Sequence, residues 1–264
     1  MTHASFLDVD LRRPDLRRPF PRRFRQRLAG QTVLELSRRA KYLLATLSSR
    51  ETLLMHLGMS GSFSIRTPES ELAGSGAEGT RDPHDHVVFR MSSGALIAYH
   101  DPRRFGLMDL LSPSALASHP ALSRLGPEPL SPSFDGAALA MACRGKGTSL
   151  KAALLDQRVV AGLGNIYVVE VLHRTGLSPR RRASTIATPS GAPRDSARRL
   201  AAAIKHVLNE AIARAERPES YRSSRFRVYD REGERCRRRH CAGIVKRLSQ
   251  GGRSTFYCPE CQHQ

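Results

Sequence analysis

The sequence has no tryptophan, only five lysines among its 43 basic residues, and no apolar run of any length. A membrane-spanning helix needs about 20 consecutive apolar residues, so the composition argues against an integral helical membrane protein. The start, Met1 to Asp10, lacks the charged-then-apolar plan of a signal peptide, and the expected location is the cytosol. Carboxylates are also scarce. Against the 43 Lys and Arg stand 24 Asp and Glu, a formal charge of +19, and so large and dispersed an excess suits a polyanionic partner. Nucleic acid is the first expectation, with an arginine bias of coding origin as the bland alternative. At 264 residues the chain has room for two compact units.

Cysteine is sparse too, five in all, yet four of them fall between positions 236 and 261. In a reducing compartment such clustering favours a metal over disulfides. Cys236 and Cys241 are separated by four residues, Cys258 and Cys261 by two, with sixteen between the pairs. Two such knuckles place four thiolates around one tetrahedral Zn²⁺, a closed structural site without a catalytic position. His240 is an alternative to Cys241 as ligand, although four cysteines suffice. The intervening "GIVKRLSQGGRSTFYC" reads as two β-rich runs joined by "SQGG", a hairpin whose turn displays Arg247 and Arg253. Cys143, alone on the apolar side of a predicted helix, reads as a core residue.

Two regimes divide the rest. As far as Ser112, strand-length segments ("TVLEL", "KYLLATL", "TLLMHL", "SFSIR", "HVVFRM", "ALIAYH") alternate with Gly, Ser and Pro punctuation, as in a sandwich or barrel. Residues 67–85 are polar and glycine-rich and read as a surface loop. From Ser114 onward helices are expected in "SALASHPALSRL", "FDGAALAMACR", "SLKAALLDQ", "NIYVVEVLHRTG" and "SARRLAAAIKHVLNEAIARAE". The predicted divisions are a β-sandwich over 1–124, a proline-rich hinge over 125–133, a helical domain over 134–226 and the zinc hairpin over 227–264.

Two further constellations bear on function. In "SLKAALLDQRVVAGLGNIYVVEVL", two short helices flank "VVAGLG", and Asn165 is expected at the N-cap of the second, where free amides suit a phosphate. Lys146 and Lys151 stand nearby. Alone, this is an ordinary helical hairpin; beside a basic zinc hairpin, DNA binding becomes the better reading. The other constellation lies on strand ends: Lys41, Met59, His84 with His86, and Arg103, Arg104 and Phe105 in "YHDPRRFG". Taken singly these are core or loop residues. Together they supply apolar, cationic and aromatic side chains suited to wedging into a base stack, with Phe105 and Met59 as the wedges.

In order, and over nearly the whole chain, "RRAKYLL", "HLGMSGS", "HDHV", "DPRRFG", "LGPEPL", "GLGNIYVVE" and "GRSTFYCPECQ" resemble the formamidopyrimidine-DNA glycosylase family, relatives of endonuclease VIII. The resemblance implies an α+β protein: an amino-terminal β-sandwich domain, a helix–two-turn–helix domain and a zinc-finger hairpin, with DNA bound between the domains. It implies excision of oxidised purines and cleavage at the abasic site by β/δ-elimination. By similarity, Lys41 serves β-elimination, and Arg253 grips the lesion phosphate and assists the second elimination. His84, Arg103, Arg104, Lys146, Lys151 and Asn165 contact DNA, while Met59, Arg103 and Phe105 fill the gap left by a flipped nucleotide. The implied setting is a monomer with one structural zinc, bound to double-stranded DNA containing oxidised bases or abasic sites, in a bacterial-type cytoplasm at the nucleoid.

The pattern departs from the family in two places. The family's opening, a proline nucleophile and a glutamate in a "PELPEVE"-like segment, has no counterpart before "FLDVDLRRPDLRRPF", a gap of roughly twenty residues. Thr2 offers a primary amine but nothing to aim it, and is not nominated as nucleophile. The loop that closes over the extruded base is reduced to "RPESYRSS", residues 217–224. Two alternatives to a glycosylase therefore stand: a catalytically silent binder of damaged or abasic DNA, and a zinc-ribbon protein that binds RNA. The latter accounts for charge and cysteines but not for "DPRRFG" or "GNIY".

Overall fold

The computed structural model describes residues 1–68, 82–215 and 226–263. "RPESYRSS" and most of the polar 67–85 stretch lie outside the described residues. The chain divides into two compact units, Met1–Ser123 and Arg124–Gln264.

The first unit contains β1 (Phe6–Leu11), α1 (Phe24–Leu28), β2 (Val33–Arg39), β3 (Tyr42–Leu47), β4 (Thr52–His56), β5 (Ser62–Arg66), β6 (Asp85–Met91), β7 (Leu96–His100), β8 (Leu107–Leu111) and α2 (Pro113–Ser118). The strands form two antiparallel four-stranded sheets, ordered β1-β6-β7-β5 and β2-β3-β4-β8. Alternation puts every second side chain on one face. Val9, Val87, Phe89, Ile97 and Tyr99 of the first sheet share one buried core with Val33, Ala45, Leu47, Leu53, Met55, Met108 and Leu110 of the second. That shared core is the sandwich expected from the strand-length runs. Strands β1 and β8 and helix α1 are additions to that expectation. Helix α2 is half the length anticipated, because Pro120 follows its C-cap His119.

The second unit contains α3 (Gly136–Cys143), α4 (Leu150–Leu155), α5 (Asn165–Thr175), a 3₁₀ turn (Ala183–Ile186), α6 (Asp195–Ala215), β9 (Lys246–Gln250) and β10 (Arg253–Tyr257). Asp135 and Ser149 cap α3 and α4 by accepting amide hydrogen bonds from Ala138 and Ala152, and Gly176 in the left-handed region ends α5. One apolar core gathers Leu139 and Cys143, Leu150 and Leu154, Val168 and Leu172, and Leu200 and Ile204 from the four helices, so Cys143 is a core residue as expected. The proline-rich 125–133 stretch is bonded into this unit: Gly126 N–H donates to the Gln157 carbonyl, and the Pro127 carbonyl accepts from Ala161. β9 and β10 form the expected hairpin, turning at Gly251 and Gly252, both with positive φ.

Candidate nucleic-acid interface and metal centre

Strand register gathers the motifs of the first unit at one end of the sandwich. In one sheet Tyr42, His56 and Leu107 are cross-strand neighbours. Lys41, the Leu57–Gly61 loop and Gly106 therefore emerge side by side. In the other sheet Ser62 and Asp85 both pair with His100, so Gly61, His84 and Asp101 share the same end. The β4–β5 and β7–β8 connections cross between the sheets here and carry the two proposed wedges. Met59 is 73% exposed and Phe105 41%, and the Arg103 guanidinium lies 4.7 Å from the Phe105 ring centre. The loops touch: Gly58 has φ +68°, and a Cβ there would stand 2.5 Å from the Phe105 carbonyl carbon, so only glycine permits the approach.

Beneath the loops lies Asp101, fully buried. One carboxylate oxygen accepts from the Tyr99 hydroxyl at 3.0 Å and the Gly106 amide at 2.8 Å, and the other from the Ser60 hydroxyl at 2.8 Å. Its amide donates to the His84 carbonyl, and its carbonyl accepts from Nε2 of buried His86 at 2.8 Å. One residue thus binds the Met59 loop, the His84 segment and the Arg103–Phe105 loop. Burial alone would raise its pKa; the hydrogen bonds from Ser60, Gly106 and Tyr99 outweigh it and hold the carboxyl below its ordinary range. His84 is exposed, Arg104 reaches Asp15 at 3.4 Å, and exposed Lys41 lies beside the Tyr42–His56 ring pair. Burial, then the charges of Lys41 and Arg17, lower the His56 pKa.

In the second unit the turn of the zinc hairpin carries exposed positive charge. Arg253 is exposed at the start of β10, and Arg247 on β9 donates to the Ser254 hydroxyl at 3.1 Å. The Ser254 carbonyl accepts from Lys151 Nζ at 3.2 Å and from Asn165 Nδ2 at 3.0 Å. Lys151 also donates to Thr255 Oγ1 at 2.6 Å, and only 1% of it is exposed. Burial, then the Arg253 charge, push the lysine pKa down to about 8. Asn165 corrects the sequence reading by one position: Gly164 is the N-cap, and Asn165, as first helical residue, uses its side chain on the hairpin instead of its own helix. Lys146 sits in the turn between α3 and α4, half-buried.

The four knuckle cysteines converge, with all four sulfurs within 4.8 Å of one another. The Cys236–Cys261 and Cys241–Cys258 separations are both 3.7 Å. A tetrahedron with Zn–S bonds of about 2.3 Å has edges of about 3.8 Å, so the cage fits one zinc ion. Burial raises the Cys236 thiol, whereas the Gly243 amide lowers Cys241. Gly243 has no room for a side chain, since a Cβ would lie 2.6 Å from Cys258 Sγ. His240 is not a member of the cage.

Helix α5 fixes this hairpin through residues on one face, Asn165, Val169, Glu170 and His173, at the spacing of a helical stripe. Val169 packs with Val228, Val245 and Phe256. The buried Glu170 carboxylate accepts the amides of Arg227, Val228 and Tyr229 at 2.8–2.9 Å. Hydrogen bonds to a charged group each contribute about 1.5–3 kcal/mol. Glu170→Gln replaces one acceptor oxygen with a donor facing those amides and is expected to destabilise the hairpin by about 3 kcal/mol. The check is zinc release in urea, whose midpoint should fall; an unchanged midpoint would remove Glu170 from the support.

Sequence reasoning singled out the tips of these elements and missed their supports, Asp101, Glu170, His173 and Ser254. For Glu170 and His173 a signal existed: two polar residues three apart, on the stripe of α5 that carries apolar Val169.

Family models described as "Formamidopyrimidine-DNA glycosylase N-terminal domain", "Formamidopyrimidine-DNA glycosylase H2TH domain" and "Zinc finger found in FPG and IleRS" match residues 1–108, 125–222 and 233–264. A formamidopyrimidine-DNA glycosylase of Bradyrhizobium diazoefficiens is 54% identical over 275 residues, which cover 99% of this chain and 94% of that protein. One from Rhodopseudomonas palustris is 55% identical with the same coverage. The Lactococcus lactis protein, solved in complex with a FAPY-dG containing DNA, matches 100% of this chain with 94% of its own, at TM-score 0.83 and 28% identity. Its complex with an abasic site containing DNA gives TM-score 0.84 at 27% identity. With more than half the residues shared along the whole length, and the three domains in the same order as the turn and cysteine motifs, this chain belongs to the formamidopyrimidine-DNA glycosylase family.

Proposed function

We propose that this protein binds duplex DNA at an oxidised purine or abasic site and acts in its repair as a glycosylase with β/δ-elimination at the abasic site. The observation that carries this reading is the turn of the zinc hairpin. There Lys151 and Asn165 both hold the Ser254 carbonyl, fixing the backbone next to exposed Arg253. A guanidinium on a braced turn meets a phosphate with little loss of freedom, and it offers two parallel donors. The zinc supplies folding of this turn and no chemical step.

The sandwich end complements it. A flipped nucleotide leaves an unstacked hole, and Met59 and Phe105 are the exposed apolar side chains to fill it, with Arg103 laid against Phe105. Lys41 is assigned to proton transfer in β-elimination, an exposed residue at the same end of the strands. Arg253 holds the phosphate through both eliminations. His84, Arg104 and Lys146 add positive or hydrogen-bonding contacts to the backbone. No C1′ nucleophile is assigned among these residues. Among the described residues no helix is long and apolar enough to cross a bilayer.

The test is binding of abasic duplex, intact duplex and structured RNA to the full chain across a salt series, with borohydride trapping in parallel. Abasic duplex should bind tightest. Arg253→Ala should weaken it by about tenfold and reduce the slope of log affinity against log salt by about 1. Preference for RNA, or an unchanged slope, would overturn the assignment. Tight binding without a trapped adduct would favour recognition without bond cleavage.

A further inference from the structure

His173 occupies a position where a helix facing a core ordinarily carries an apolar side chain. It is fully buried on α5, between Leu172 of the helical core and the first zinc knuckle. Its Nε2 lies 3.1 Å from Cys236 Sγ. Its Nδ1 is buried without a hydrogen-bond partner among the described residues. With Cys236 a zinc-bound thiolate, which can only accept, these two facts assign the proton. With the proton on Nε2, one N–H points at the sulfur and the unpaired atom is a lone pair. With it on Nδ1, a buried donor would be orphaned and two lone pairs would face each other across 3.1 Å.

Other groups hold the ring and the sulfur in register. Arg238 donates from its backbone amide to Cys236 Sγ at 3.4 Å, and its guanidinium donates to the carbonyls of His173 and Arg174. Cys236 N–H donates in turn to the Gly243 carbonyl in the same knuckle.

We propose that His173 is an outer-shell donor of the zinc centre, its Nε2–H bonding the Cys236 thiolate and tying the metal cage to α5. The bond draws electron density from one of four sulfurs, so that sulfur gives less charge to the metal and is a weaker nucleophile. It also completes a three-point attachment along one helix face. Asn165 holds the hairpin turn, Glu170 the chain ahead of the first cysteine, and His173 the cage itself. At 1.5 Å per residue, these eight steps span about 12 Å. His173 is thus a positioning residue and not a fifth ligand, because the four cysteines already close a tetrahedron.

Cobalt(II) exchanged for zinc in the full chain reads this bond directly, through its thiolate-to-metal charge-transfer band. His173→Phe keeps a ring without a donor. His173→Gln places an amide N–H where Nε2 was, and His173→Asn is polar but too short to reach the sulfur. The expected result is a band at the parental wavelength for Gln and a shift to longer wavelength for Phe and Asn. Zinc affinity, by chelator competition, should fall about tenfold for Phe and Asn and stay within about threefold for Gln. Should Phe fail to fold, Asn against Gln makes the same comparison. An unshifted band and unchanged affinity in Phe or Asn would overturn the proposal, as would Gln behaving like Phe. A parental visible spectrum of three sulfurs and one nitrogen would make His173 a ligand and also overturn it.

Discussion

Replacing Cys258 with serine is expected to release the zinc and, with it, about a hundredfold of the affinity for abasic duplex, or ~3 kcal/mol. Cys258 is fully buried, and a serine hydroxyl is a harder, shorter donor that zinc accepts poorly. Structural zinc in small fingers supplies on the order of 10–16 kcal/mol of apparent binding energy at neutral pH. The hairpin's own apolar cluster is small: Val169, Val228, Val245 and Phe256, with Tyr229 alongside. A two-stranded hairpin by itself is marginal in water. Without the cage the Ser254 carbonyl loses its place, Lys151 is left as a buried amine without acceptors, and the turn that presents Arg253 loosens. Metal analysis should fall from one zinc per chain towards none. Cys143→Ser is the control, since Cys143 lies in the helical core and outside the cage, and its variant should keep the metal. Full zinc content in Cys258→Ser would refute the assignment, and full affinity without zinc would detach DNA binding from the hairpin.

The tips of this architecture were readable because they depend on local chemistry. Cysteine spacing, the Gly-Gly turn and the strand-length apolar runs each act over a few residues, and the register that gathers Lys41, Met59, His84 and Phe105 follows from the turns between those strands. Supports depend on residues distant in sequence. Asp101 reads as a turn residue in "HDPRRFG", and its burial comes from Ser60, 41 positions earlier, and from Tyr99. Asn165 reads as a cap because Asn suits that role; in the fold Gly164 holds the cap, and the Asn side chain donates to Ser254, 89 residues on. Strand β1 was hidden for another reason. "FLDVDL" carries two aspartates, which are poor strand residues, and a register shift between Phe6 and Asp8 puts its buried residues, Phe6 and Val9, three apart where a regular strand alternates in twos.

Asp101→Asn should destabilise the sandwich unit by about 3 kcal/mol at neutral pH and weaken abasic-duplex binding with it. The substitution keeps the shape of the side chain but turns one acceptor oxygen into a donor. With its oxygen in the place shared by Tyr99 and Gly106, the Asn amide turns its NH2 to the Ser60 hydroxyl, which can rotate to accept; what is lost is the charge, and hydrogen bonds to a charged group contribute about 1.5–3 kcal/mol against about 0.5–1.5 for neutral ones. Weaker bonds to Ser60 and Gly106 also loosen the Met59 and Arg103–Phe105 loops together, so the loss of binding should exceed what a distant stability change produces. The pH dependence separates charge from shape. Because the folded carboxyl titrates below its ordinary value, near 3.9 in an unfolded chain, its stabilisation is complete above about pH 4. It is lost as pH falls through the lower folded pKa. Parent and variant should therefore differ most at neutral pH and converge in acid, as urea midpoints measured across that range would show. A constant difference at every pH would mean that Asp101 holds the loops by shape alone, and an unchanged neutral midpoint would remove it from the support of Met59 and Phe105.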